Sequence, residues 1–73
     1  MPAMVILRVK NPGTETSRLL ARLESELGVG AQPQTAGYVP LSLDLDQETA
    51  RARVVEVLES VDADWREHLE LRS

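Results

Sequence analysis

Five stretches of the chain carry a regular pattern of apolar positions. Ala3 to Lys10, "AMVILRVK", is rich in β-branched residues and is followed by Asn11-Pro12-Gly13, which predicts a strand closed by a turn. Val5, Leu7 and Val9 share one face of it. Met4, Ile6, Arg8 and Lys10 share the other, and the first set is the expected core face. From about Thr16 to Leu27 the period changes to that of a helix. Leu19, Leu20, Leu23 and Leu27 form its stripe, with Arg18, Arg22 and Glu26 outside. A hydroxyl of Thr14 or Thr16 is expected to cap the start, and Gly28 to end it in a left-handed conformation.

Val29 to Gly37, "VGAQPQTAG", has no clear period and reads as a loop or a short edge strand. Pro33 removes a ladder donor, which only an edge tolerates. Tyr38 to Asp46 alternates, with Val39, Leu41, Leu43 and Leu45 inward and Pro40, Ser42, Asp44 and Asp46 outward. Asp46 is the expected N-cap of a second helix, Gln47 to Val61, with the stripe Ala50, Val54, Val57, Leu58 and Val61. The ending "DWREHLELR" alternates once more. Trp65, Glu67, Leu69 and Leu71 fall on one face, and Arg66, His68, Glu70 and Arg72 on the other.

The chain therefore contains two similar strand-then-helix units, each with a Leu-Glu-Ser helix end, followed by a last strand. Packed on one sheet they predict an α+β domain spanning residues 1–73, a ferredoxin-like βαββαβ two-layer sandwich. The alternative is a three-stranded βαβαβ layout in which 29–37 is only loop. Strands with one apolar and one polar face suit a sheet covered on one side and wet on the other.

Composition narrows the function. Seventy-three residues bury a limited core, and chains of this size often gain support from disulfides, metals or association. There is no cysteine and a single histidine, His68, so no metal site and no cofactor are expected, and association is the remaining route. The net charge of −4 opposes nucleic-acid binding, which rests on Lys and Arg displacing counterions. No apolar run approaches a membrane span of about 20 residues, and no signal peptide is visible, so a cytoplasmic location is the expectation.

Four constellations could carry chemistry. The first is the Asn11-Pro12-Gly13 turn, which feeds a helix N-terminus with its free N–H groups and positive dipole end. The stretch "NPG…RLLARLESELGVG" resembles the start of the ACT family of small ligand-binding regulatory domains. That resemblance implies a ferredoxin-like fold, edge-to-edge homodimers and an amino acid bound at the turn. Asn11, Gly13 and Thr14 would line such a site, and Gly28 and Gly30 would mark entry to a second strand. The second is Pro2. With Met1 removed it would be N-terminal, as in the tautomerase family, which uses that proline as general base on a β-α-β unit of similar length. An apolar pocket would bring its amine toward neutrality, and Arg8 is the nearest cation in sequence.

The third constellation is the carboxylate pairs Asp44/Asp46 and Asp62/Asp64. They have the spacing to share a cation, but also ready roles as helix cap and turn residues. The fourth is the polar sheet face, where Ile6, Arg8, Arg66, His68 and Arg72 form a mixed-charge docking surface. It lacks the exposed aromatics of an RNA-binding sheet, with Tyr38 at one end as the exception. The sequence thus points to a non-catalytic binding module that associates with a protein partner or with itself as a homodimer. A small anionic ligand such as an amino acid is a further expectation. A small Pro2-dependent enzyme is the alternative.

Overall fold

The computed structural model describes residues 2–73. Strand β1, Ala3–Val9, runs into helix α1, Thr14–Leu27. A loop with one 3-10 turn, Thr35–Gly37, leads to β2, Tyr38–Leu43. Helix α2, Gln47–Val61, a second 3-10 turn, Trp65–Glu67, and β3, Leu69–Leu71, complete the chain. The sheet order is β2-β1-β3, and both outer strands are antiparallel to β1. Val5 pairs with Leu41, Ile6 with Pro40 and Arg8 with Tyr38, while Arg8 also opposes Glu70 on β3.

The alternation seen in sequence decides which face is covered. Ala3, Val5, Leu7, Val39, Leu41, Leu43 and Leu69 are buried against Leu19, Leu20 and Leu23 of α1 and Ala50, Val54 and Leu58 of α2. Both helices pack on this side, and Trp65 fills the core beside them without exposed surface. Its indole N–H donates to Glu59 Oε2 at 2.6 Å, so the buried polar atom is satisfied. The result is a two-layer sandwich with one sheet face uncovered.

Of the two layouts, the three-stranded one is found. The strand order and directions are those of a ferredoxin-like sheet without its second strand. Residues 29–37 begin a hairpin with β2, since Gln34 N–H donates to the Tyr38 carbonyl at 2.7 Å. The next rung would need the N–H of residue 40, and Pro40 has none. The loop is held to α1 instead, through Ala31 N–H to Glu24 Oε2 at 3.1 Å.

Four local expectations are corrected. Helix α1 starts at Thr14, and its N-cap is Gly13 with no side-chain cap bond, so neither Thr14 nor Thr16 caps it. Thr16 is buried, and its hydroxyl donates to the Asn11 carbonyl. Leu45, read as inward, is 37% exposed, because β2 ends at Leu43 and the chain turns toward α2 before the alternation can continue. Residues 65–67 form a 3-10 turn rather than strand, so Glu67 is exposed and does not share a core face with Trp65. Gly28 does end α1 as expected, at φ 66° and ψ 33°, with its N–H on the Glu24 carbonyl at 2.9 Å.

Candidate functional site

Two regions bring the sequence candidates together. At the corner between β1 and α1, Asn11 faces the rest of the protein and not a ligand. Its Nδ2 donates to the Glu67 carbonyl at 2.6 Å, and its own carbonyl accepts from Thr16. Lys10 Nζ donates to the Arg66 carbonyl at 2.8 Å, and the Lys10 N–H to the His68 carbonyl at 2.8 Å. With the Asn11 N–H also on the His68 carbonyl at 3.4 Å, four donors tie this corner to carbonyls of residues 66–68. Gly13 adopts φ 152°, ψ −170°, a region that glycine alone enters without strain.

A groove of about 430 Å³ opens beside Gly13, framed by Pro12, Leu20, Pro33 and Ala36. Thr16 and Ser17 are its residues with polar side chains, and the hydroxyl of Thr16 is already committed as a donor. Of the three residues expected to line a ligand site, Gly13 does so, and Asn11 and Thr14 do not. Glu15 stands in the first turn of α1 and pairs with Arg18 at 2.9 Å, so an anion there would meet a carboxylate.

The second region is the open sheet face. Ile6, Arg8 and Arg72 do come together on it. Glu70 Oε1 accepts from Arg8 Nε at 2.9 Å and from Arg72 Nη1 at 3.3 Å, so two guanidiniums share one carboxylate. The hydrogen bond from Arg8, ahead of that from Arg72, lowers the Glu70 pKa from its ordinary value. The Arg72 guanidinium also lies 6.0 Å from the centre of the Tyr38 ring. Met4 is 47% exposed and Tyr38 36% exposed, with Ile6 and Pro40 half-buried between them.

Arg66 leaves this face, and His68 is held by its backbone at the corner. The 3-10 turn takes Arg66 over the Trp65 ring, 4.2 Å from its centre and 3.7 Å from Glu59 Oε2. His68 precedes β3, and its carbonyl receives the N–H groups of Lys10 and Asn11. The sequence pattern missed the Glu59-Trp65-Arg66 cluster. Its signal was an acid and an aromatic six apart across a helix end, which has no fixed geometry until the chain folds.

The remaining candidates are separate. Pro2 is exposed at the head of β1. Arg8 lies six positions on, about 20 Å away at ~3.3 Å per residue, so the two do not form one site. Asp46 caps α2 by accepting the Thr49 N–H at 3.4 Å, and hydrogen bonding from Thr49 lowers its pKa. Asp62 Oδ1 accepts the Asp64 N–H at 2.9 Å, a local turn. Among the described residues, no group of three or more His, Cys, Asp or Glu is placed to hold a metal ion, and no helix is long and apolar enough to cross a membrane. Compared with protein-family models, curated proteins and solved structures, the chain gives no match in any of the three.

Proposed function

We propose that this chain is a small non-catalytic module that acts by binding protein through the open face of its sheet. The observation that carries this reading is the apolar strip Met4, Ile6, Tyr38 and Pro40 on a face that neither helix covers. In an 8.1 kDa domain with a limited core, apolar side chains on the wet side do little for the fold and are available to a partner. The test is the double variant Met4→Thr with Tyr38→Thr. Its folding free energy should stay within about 0.5 kcal/mol of the parent, as for surface positions that serve no internal contact. A loss of several times that amount would show that the strip holds the chain together, and the reading would fall. Velocity sedimentation from micromolar to millimolar protein reads whether a second copy is the partner.

A second reading is supported by the groove beside Gly13. It belongs to the lower end of the size range of small-molecule sites, roughly 300–1,000 Å³. Its lining suits a mostly apolar molecule, such as an amino acid presenting its side chain. The groove lies next to the turn at which the ACT-like resemblance would seat an amino acid. An amino-acid panel in a thermal-shift assay tests it, since a ligand of the native state must raise the melting temperature.

A further inference from the structure

The charge on the open face is opposite to that of the molecule. The chain carries −4 overall. On the strands of the open face, Arg8 and Arg72 are balanced by Glu70 alone, which leaves one uncompensated positive charge. Lys10, just past the end of β1, turns its ammonium to the Arg66 carbonyl and belongs to the corner rather than to this face. The acidic side chain nearest the far end, Asp44, lies past the end of β2 and is separated from the arginines by the apolar strip. The face therefore carries a net positive charge beside its apolar strip, with Arg72 across from Ile6 and Arg8 between Tyr38 and Glu70, on a protein that is otherwise strongly acidic.

Size narrows the partner further. Three strands at ~4.8 Å spacing and seven residues at ~3.3 Å give a face of about 14 by 23 Å. That is roughly 300 Å², well short of the ~800 Å² that each partner contributes to a standard protein–protein interface. A second copy stacked face to face would also bring two net positive charges onto one small surface. A short acidic segment meets neither difficulty. Its carboxylates would reach Arg72 and Arg8, and its apolar side chains would lie on Ile6, Met4 and Pro40.

Building on the binding-module reading, we infer that the open sheet face takes a short acidic peptide segment of another protein, with carboxylate and apolar side chains on the same side of an extended chain. Arg72 is the principal anchor. It is half-exposed, shares its carboxylate with Arg8, and stands beside the Tyr38 ring. Arg8 is more committed, at 2.9 Å from Glu70.

The experiment is an amide chemical-shift titration of the intact chain with an acetylated peptide that carries Glu and Val on the same side of an extended strand. Parallel titrations use the same peptide with Gln in place of Glu. The expected result is shifts at Ile6, Arg8, Tyr38 and Arg72, with affinity falling about tenfold on going to the Gln peptide and again as salt is raised. Arg72→Gln should reproduce that loss, and Arg51→Gln, on the exposed side of α2, should not. Equal binding of the two peptides would overturn the acidic-partner inference while leaving the binding-module reading in place. No shift on the open face with either peptide would remove both. Shifts of the same amides with protein concentration alone would seat a second copy there and overturn the inference.

Discussion

At Asp46 the chain leaves β2 and enters α2 with its own carboxylate accepting the Thr49 N–H, three residues on. At Gly13 it leaves β1 and enters α1 with no side-chain cap bond at all. Asn11, Lys10 and Thr16 reach instead for carbonyls, two of them more than fifty residues away in the second 3-10 turn and one at the turn itself. The first arrangement is closed within four residues. The second depends on a distant turn standing where it does, and that turn stands on the buried Trp65. Two corners with the same job are therefore built on different ranges of the chain, and they should fail differently.

Removing the support of the long-range corner should have the largest effect. Trp65→Ala is expected to cost about 3–5 kcal/mol, the range for truncating a buried aromatic. Against a total of roughly 5–15 kcal/mol for small proteins, this brings the fold near its limit. Urea denaturation measures it, and a cost near 1 kcal/mol would mean that the indole is not a core element. Next is Gly13→Ala. An added Cβ meets nothing within 4 Å, so the expected cost of about 1–3 kcal/mol comes from φ alone.

Asn11→Ala should cost roughly 1 kcal/mol, by loss of one hydrogen bond, and Asp46→Ala should destabilise the start of α2 by loss of its N-cap. Hydrogen exchange separates them. Asn11→Ala should open amides at both ends of the contact, around residues 10–11 and 65–68. Asp46→Ala should open only the first turn of α2. Identical exchange patterns in the two variants would contradict the division between local and long-range corners.

The smallest effect is on pH dependence. Asp46 and Glu70 have pKa values lowered in the folded chain by hydrogen bonds from Thr49 and from Arg8. A depressed folded pKa contributes stability above the unfolded value, about 4 for a carboxyl, and loses it as pH falls through the folded value. Stability should therefore decline on acidification below about pH 4. Asp46→Asn keeps a good cap and removes one titrating group, so it should flatten part of that slope and give up at neutral pH the same small contribution that the wild type loses on acidification. The Gly13 corner has no such carboxylate cap and should contribute no slope. An acid slope unaltered in Asp46→Asn would show that the cap carries no charge-dependent stability.

These differences also mark what could be read from residues in order. The Asp46 cap, the Gly28 stop, α2 from Gln47 to Val61 and the buried faces of β1 and β2 are all legible because their physics is local. Trp65 and Leu69 are both buried, as strand alternation predicts, although Trp65 is not in a strand. Four residues apart, they share a face both in a strand and, nearly, on a helical turn. The residues between them, Arg66 and Glu67, reveal which geometry is present, and here it is the 3-10 turn. Of the candidate docking residues, Ile6 and Arg8 lie on β1, and Arg72, one residue past β3, joins them on the open face because its N–H still bonds the Ile6 carbonyl. Arg66 and His68 do not, because they precede β3.

Alternation and helical period by themselves determined the two strand-helix units, the two-layer architecture and the side of the sheet that the helices cover. Burying one apolar face admits few other arrangements. The tertiary structure decided the rest. Pro40, on the outer edge of β2, left the sheet with three strands. The approach of the second 3-10 turn turned Asn11 from a ligand candidate into a tether. The pairing of β1 with β3 placed two arginines on a single carboxylate. Each of these depends on which distant backbone groups come within hydrogen-bonding reach, and that distance is set only when the core closes.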